Sequence, residues 1–455
     1  MQSVSSIFVS IASYRDSELI PTLHDMINTA KSPENLNIAV FWQDENDINT
    51  FINQGMRLIK SQTHLGYPLH QLEYNQAHIW VLAVHYYESK GACWARHMAE
   101  GLFQDETYFL QIDSHCRFIQ HWDHEMVTML NSLRDKSPKP ILSAYPPGYE
   151  PGENENRKDY VSRLIFNTFT PEGMVQMMST PFTESAPVRC GYLAAGFIFT
   201  DGCFVREVAN DPDIFFLGEE IAMAARAFTH GYDCYAPHKI LLWHFYTRSK
   251  HSKVWSDHNN EAKKSGAVKL AWWERDKIAK SRVRTLLGTE QNNAELGCYA
   301  LGSQRSLQEF EYRLGVNFSK RAVHPDVVGT YKVSYFTDLP TAHEQWLESL
   351  ILVNKKTLKI EKHEADFTRE DVEWWHIGVY NAQNAQVMAE HVDISNMKKI
   401  ITKTDDSIFE LKLAFNTETD SNPRSVRICP YIRLQGWGDV VEKPWSKAKT
   451  FSNRF

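Results

Sequence analysis

The sequence contains no CxxC pair, and its seven cysteines are an odd number. Neither a disulfide framework nor a structural zinc site is therefore expected, and free thiols point to a reducing compartment. Excess basic charge is also lacking: 49 Lys and Arg stand against 56 Asp and Glu, a net charge of -7. Without surplus cations to displace condensed counterions, nucleic acid is not an expected partner. Long apolar runs are missing too. Tyr192 to Thr200 and Ile79 to Val84 fall well short of the ~20 residues a bilayer helix needs. A strand-like run, Ser6-Ile7-Phe8-Val9-Ser10-Ile11, starts too early to leave room for a leader with charged, apolar and cleavage regions. A soluble, cytoplasmic chain without a transmembrane segment is the expectation. Repeats, coiled coils and low-complexity tracts are not visible. With 43% hydrophobic residues in 455, wholesale disorder is excluded and two or three domains are expected.

What is present is an alternation of short β-type runs with helical patterns, the signature of an α/β architecture. Ile7 to Ala12 reads as the first strand, Asn37 to Trp42 as the second, Ile79 to Tyr86 as the third and Tyr108 to Asp113 as the fourth. Leu19, Ile20, Leu23, Met26 and Ile27 recur at helical spacing, with Ser17 as the cap and Pro21 in the opening turn; Gly91 to Phe103 reads as another helix. In such βα units ligands bind beyond the carboxyl ends of the strands, so the residues that follow each apolar run are the ones to inspect.

Tyr145-Pro146-Pro147-Gly148-Tyr149-Glu150-Pro151-Gly152 predicts a surface loop. Tyr192 to Thr200 and Ile240 to Phe245 read as strands and Glu219 to Thr229 as a helix. From Thr247 the chain turns polar and basic, with Arg248, Lys250, Lys253, Lys263, Lys264 and Lys269, before a helical stretch through Leu287; residues 247–285 are a candidate lid. After Phe318 come Val328 to Phe336, Leu350 to Val353, Ile377 to Tyr380, Phe409 to Phe415 and Ser425 to Leu434. Their spacing predicts a mainly-β module over 319–455, a small sandwich. Its Trp374, Trp375, Trp437 and Trp445 are either core or a ligand platform.

Three places carry possible chemistry. In Gln111-Ile112-Asp113-Ser114-His115 an apolar strand ends in an acid and an imidazole two residues apart, which extended chain turns to the same side. A carboxylate with an imidazole suits Mn²⁺ or a similar divalent cation, although a solvated turn is the plainer reading. His244, inside Leu241-Leu242-Trp243-His244-Phe245-Tyr246, is either a satisfied core histidine or a ligand. Phe216-Leu217-Gly218-Glu219-Glu220 opens a helix where acids suit the dipole and where carboxylates can also meet sugar hydroxyls.

Ile7 to Asp16, Phe41-Trp42-Gln43, Gly91-Ala92-Cys93-Trp94-Ala95-Arg96, Leu110 to His115 and Leu193-Ala194-Ala195-Gly196-Phe197, in this order, resemble the family 60 glycosyltransferases. That family includes hydroxyproline N-acetylglucosaminyltransferases of protists and bacterial members, and is related to the polypeptide N-acetylgalactosaminyltransferases. The resemblance spans residues 5 to 318. It implies a GT-A type α/β domain, a mixed sheet flanked by helices, over 1–318, with UDP-N-acetylglucosamine as donor, a protein or glycan hydroxyl as acceptor, and retention of configuration. It further implies Asp113, His115 and His244 as ligands of Mn²⁺ or Mg²⁺, and Gly218-Glu219 as the Gly-Glu motif of the donor-sugar region. Related enzymes carry an amide where Glu220 stands.

Glu219, Glu220 and Arg96 are then the catalytic candidates. The donor site is expected to draw on Ser13, Tyr14, Arg15, Asp16, Gln43, Gly91, Arg96, Ser114, Gly196, Trp243, Tyr246 and Arg248. Of these, Ser13 to Asp16 are placed for uracil and ribose, and Arg96 for the pyrophosphate or Asp113. Gly196 is the floor of the sugar pocket, and Tyr246 and Arg248 close over the phosphates. Two other classes fit the same residues less well: a metal-dependent hydrolase, which would need more His/Asp clusters, and a glycan-binding or scaffold protein with a decayed site.

Overall fold

The computed structural model describes residues 5–248, 251–292, 295–405 and 407–445; Lys250, part of the basic segment, lies outside them. The chain divides into one unit of residues 1–318 with 326–339 and a second of residues 319–325 with 340–455.

The first unit is α/β. Its strands are β1 (Ile7–Tyr14), β2 (Leu36–Asp44), β3 (Arg57–His64), β4 (Tyr67–Tyr74), β5 (Ala77–His85), β6 (Tyr108–Asp113), β7 (Cys116–Phe118), β8 (Pro140–Ser143), β9 (Val161–Phe169), β10 (Val175–Phe182), β11 (Val188–Arg189), β12 (Phe197–Asp201), β13 (Asp233–Ala236), β14 (Leu242–His244) and β15 (Val316–Asn317). Ten of them form one mixed sheet in the order β11-β13-β8-β12-β6-β1-β2-β5-β4-β3. At its centre β1 runs parallel to β2 and β6, and β2 parallel to β5. The strands β1, β2 and β6 carry near-continuous apolar runs because helices cover the sheet; Val9, Ile11, Ile38, Val40, Leu110 and Ile112 are fully buried. The helix Leu19–Thr29 lays Leu19, Leu23, Met26 and Ile27 into that core.

Several predictions of local structure need correcting. Ser17 does not cap the first helix; Glu18 holds that position, and its N–H is taken by Asp16 Oδ1. The strand at 77–85 is fifth in the chain, because the hairpin β3–β4 precedes it; β3 is exposed along nearly its whole length and shows no alternation to read. Within Tyr192 to Thr200 only the part from Phe197 is strand. The Pro/Gly segment is no free surface loop: Pro146, Pro147 and Tyr149 are buried, and its backbone bonds His244 through Pro147 O and Tyr149 N. The run 240–245 contributes only β14, which pairs with β7 outside the main sheet. The 247–285 segment forms the helices Val254–Asp257, Asn260–Lys264 and all but the last residue of Trp272–Leu286.

The second unit is β-rich. Its strands are β16 (Ala322–Val323), β17 (Ile351–Glu361), β18 (Val372–Asn381), β19 (Gln386–Val392), β20 (Ile401–Thr404), β21 (Ile408–Glu418), β22 (Pro423–Ile432), β23 (Gly436–Trp437) and β24 (Val441–Pro444). One sheet carries β16-β17-β21-β20 and the other β19-β18-β22-β23, with β24 also on β22. Alternate residues of both sheets, among them Ile360, Leu411, Trp375, Ile377 and Ile428, share one core, as in a sandwich. The predicted run Val328 to Phe336 holds no strand. No helix among the described residues is long and apolar enough to cross a membrane.

Candidate functional site

The parallel pairing of β1 with β2 and β6 brings their carboxyl ends to one edge: Asp113 stands opposite Ala12, and Tyr14 opposite Gln43. At this edge lies a cleft of about 630 Å³. Its walls include Asp113, His115, His244, Glu219, Glu220 and Arg248. The antiparallel pair β7–β14 sets His244 opposite Cys116, one residue past His115. This pairing brings His244 to Asp113 across 131 residues of sequence, and one ligand-type atom from each of Asp113, His115 and His244 lies within 4.8 Å of the others.

Each of the three is held from behind. Asp113 Oδ1 accepts from Arg96 Nη2 at 3.0 Å, and Oδ2 lies 3.1 Å from His244 Nε2. Burial alone would raise the Asp113 carboxyl, but the His244 hydrogen bond, the Arg96 charge and the two imidazoles hold it well below the usual carboxylate range. His115 Nδ1 faces Asp16 Oδ2 at 2.7 Å, while its Nε2 faces Arg248 Nη1 at 3.3 Å. Asp16 Oδ2 engages Nδ1, which leaves Nε2 as the ring nitrogen turned towards Arg248 and Asp113. Burial pushes His244 below the ordinary histidine value, with Asp113 opposing, and its Nδ1 is buried without a protein partner.

The donor set, one carboxylate oxygen and two neutral imidazoles, suits a borderline divalent cation and leaves further coordination positions for a bound group. A carboxylate behind a ligating histidine is the usual arrangement for fixing its ring. The Arg248 guanidinium, itself a cation, already lies against His115 Nε2. At Gly196 an added Cβ would lie 2.8 Å from Asp113 Oδ2, so the glycine keeps the floor clear. The residues present fit a metal ion.

The other expected residues fall into groups. Tyr14, Gln43, Gly91, Arg96, Ser114, Gly196, Glu219, Glu220, Tyr246 and Arg248 line the cleft. Ser13 is fully buried, with its carbonyl accepting from Gln43 Nε2. Arg15 turns to Asp257 at 3.0 Å and lies over the Tyr86 ring. Asp16 has no exposed side-chain surface. It accepts from Ser114 Oγ at 2.6 Å, from His115 and from Arg248 Nη2 at 2.9 Å, so it supports the site from beneath rather than facing a nucleotide. Trp243 is not brought in: strand alternation turns it away from His244, its Nε1 donates to Lys158 O, and Arg157 covers its ring.

The glutamates at the start of the helix Glu219–Thr229 part company. Glu219 Oε2 accepts from Arg96 Nη1 at 2.8 Å and Cys93 Sγ at 2.9 Å. Glu220 accepts from Tyr145 Oη at 2.6 Å and from the Ala195 N–H at 3.0 Å, and burial raises it to about 7. Sequence reasoning passed over Tyr145, Cys93 and Asp257. Tyr145 sat in a stretch read as solvent loop, and Asp257, which also accepts from Tyr14 Oη at 2.8 Å, reaches the site across more than 240 residues with no local signal.

Asp16→Asn keeps the side chain's shape and removes the charge behind His115. Divalent-ion affinity is expected to fall ~10–100-fold. Titration calorimetry with Mn²⁺ measures it, and wild-type affinity in the variant would contradict the support role.

An α/β sheet that delivers a carboxylate and two imidazoles to one cleft at its strand ends defines a protein with a candidate divalent-metal site. The family model for glycosyltransferase (GlcNAc) matches residues 6–63 and 50–320, and the chain belongs to that family. Among solved structures it is similar to GalNAc-T7 crystallised with UDP, GalNAc and Mn²⁺, at 12% identity and a TM-score of 0.42 over 67% of this chain and 54% of that one. It is also similar to S. aureus TarS: residues 1–349 at 10% identity and a TM-score of 0.35 over 62% and 72% of the two chains, and a TarS structure at 8% and 0.35 over 96% and 77%. The chain thus spans about half the length of the GalNAc-T7 structure. No curated protein matches it significantly.

Proposed function

We propose that residues 1–318 are a GT-A type, metal-dependent glycosyltransferase domain, followed by an accessory domain over 319–455. It transfers N-acetylglucosamine from UDP-N-acetylglucosamine, with retention, to a hydroxyl of a protein or glycan, as a bacterial-type member of family 60. The observation that carries this reading is the convergence of Asp113, His115 and His244 within 4.8 Å in a chain of the glycosyltransferase (GlcNAc) family.

Asp113, His115 and His244 would hold Mn²⁺ or Mg²⁺, which supplies Lewis-acid stabilisation of the departing diphosphate. Arg96 ties Asp113 to Glu219, so one guanidinium joins the candidate ligand to the Gly-Glu turn. Glu220, by holding Ala195 N–H, sets the backbone that places Gly196 under Asp113. Both glutamates are already engaged by donors, which supports a proton from the acceptor hydroxyl passing to the leaving phosphate oxygen and hence retention. Asp257 gripping Tyr14 and Arg15 supports 247–285 as the segment that closes the donor site and excludes water.

A hydrolysis screen of UDP-, GDP- and CMP-sugars with Mn²⁺ tests the reading. UDP-N-acetylglucosamine is expected to be consumed fastest, and chelation to stop it; turnover of no UDP-sugar, or indifference to chelator, would overturn it. Inverted anomeric configuration in the product linkage would overturn retention alone.

The raised Glu220 carboxyl gives a separate prediction. Its folded value of about 7 lies above its unfolded value, so the folded state holds this proton more tightly. The stability it contributes is complete below about pH 4 and declines as pH rises towards 7. Glu100 and Glu311, also raised to about 7, act in the same direction. Comparison with Glu220→Gln isolates the one group: between pH 5 and 8 the wild type should lose about 2–3 kcal/mol more than the variant. Thermal melts across that range measure it, and parallel pH profiles would refute the assignment.

A further inference from the structure

In a sandwich the outer face of each sheet is ordinarily polar. The sheet β19-β18-β22-β23 departs from this. Along β18, Trp375, Ile377 and Val379 point into the core, so Trp374 and His376 belong to the opposite face. There Trp374 stacks on Tyr431 with ring centroids 4.6 Å apart and planes 3° from parallel. Trp437 stands at 85° to both, 4.7 Å from Trp374 and 5.4 Å from Tyr431. His391 lies 4.5 Å from Trp374 and 5.1 Å from His376. Gly378 follows on the same face, where a Cβ would come 2.8 Å from His376 Nε2; the glycine leaves room for the imidazole to lie along the sheet. Trp437 is 57% exposed.

We propose that this corner of Trp374, Tyr431 and Trp437, edged by His376 and His391, is a binding platform for the pyranose rings of a neutral polysaccharide. A pyranose has C–H faces that stack on aromatic rings and hydroxyls at its rim that need hydrogen-bond partners; indole, phenol and imidazole offer both in one place. Charge selects the ligand. None of the five side chains is an acid, a lysine or an arginine, and burial moves His376 further from protonation, so the ring surface complements an uncharged chain rather than an ionic one. Leu434 and Val440, exposed on the flanking turns, make a protein partner the competing occupant. The platform is independent of the transferase reading, since it shares no residue with the cleft.

Affinity electrophoresis of the full chain in native gels containing glycol chitin, xylan, mannan, mixed-linkage β-glucan or dextran tests the proposal. At least one polysaccharide is expected to retard the wild type. Trp437→Ala should weaken that retardation about tenfold or more, Trp437→Phe should retain most of it, and UDP-sugar hydrolysis should be unchanged in both. Retardation by none of the five, or equal retardation of wild type and Trp437→Ala, overturns the platform. So does a shift in sedimentation coefficient from oligomer to monomer in Trp437→Ala, which would assign the rings to self-association.

Discussion

Asp113→Asn is expected to lower UDP-sugar turnover about a thousandfold, equivalent to ~4 kcal/mol of transition-state stabilisation. The substitution is nearly isosteric, so the cleft and the Gly196 floor keep their shape. What it removes is the charge that belongs at the centre of the donor set, between the Arg96 guanidinium at 3.0 Å and His244 at 3.1 Å. An amide is a poor ligand for a divalent ion beside two neutral imidazoles. Calorimetric Mn²⁺ titration should therefore fail in step with hydrolysis. Loss of hydrolysis with wild-type metal affinity would show that Asp113 acts on the donor by some other route.

The second large effect concerns stability. Arg96 has 5% of its side chain exposed and bridges two carboxylates, Asp113 and Glu219, the latter 9% exposed. Arg96→Met fills much of the volume but leaves both acids without their cation, and breaking a buried pair in this way costs about 3–5 kcal/mol. A fall in melting temperature of about 10 °C is expected, with Asp113 becoming easier to protonate. The contrast is Arg15→Met. Arg15 is 30% exposed in its pair with Asp257, and a pair of this kind contributes about 1 kcal/mol or less. Equal melting temperatures for the two variants would remove Arg96 from its place as the structural link under the site.

The legible parts of this chain were those with an unbroken local pattern. β1, β2 and β6 carry apolar runs because they are buried on both faces, and Asp113 and His115 stand where such a run stops. The helix at Glu219 was readable from Gly218, which adopts φ 97° just before it, and from the spacing of its apolar residues. In the tail, the runs Ile377 to Tyr380 and Ser425 to Leu434 fall on β18 and β22, while only the structure separates buried Trp375 from half-buried Trp374.

The rest depended on partners distant in sequence. His244 alone reads equally well as a core residue; only the pairing of β14 with β7 turns it towards Asp113. The segment after Ala144 has the composition of a loop, yet Tyr149 is buried beneath Arg117 and its backbone engages His244. Asp16 resembled a nucleotide contact because it follows the first strand, whereas the structure commits every oxygen contact of its Oδ2 to Ser114, His115 and Arg248. Tertiary hydrogen bonding decided each of these, and composition carries no record of it.

Anomalous diffraction at the manganese edge, from crystals of the full chain soaked with MnCl₂ and UDP, tests the central claim most directly. One peak is predicted within about 2.0–2.4 Å of an Asp113 carboxylate oxygen and a nitrogen of each of His115 and His244, touching both phosphates of the nucleotide. A peak elsewhere, or UDP bound in the cleft with no peak beside these three side chains, would contradict it.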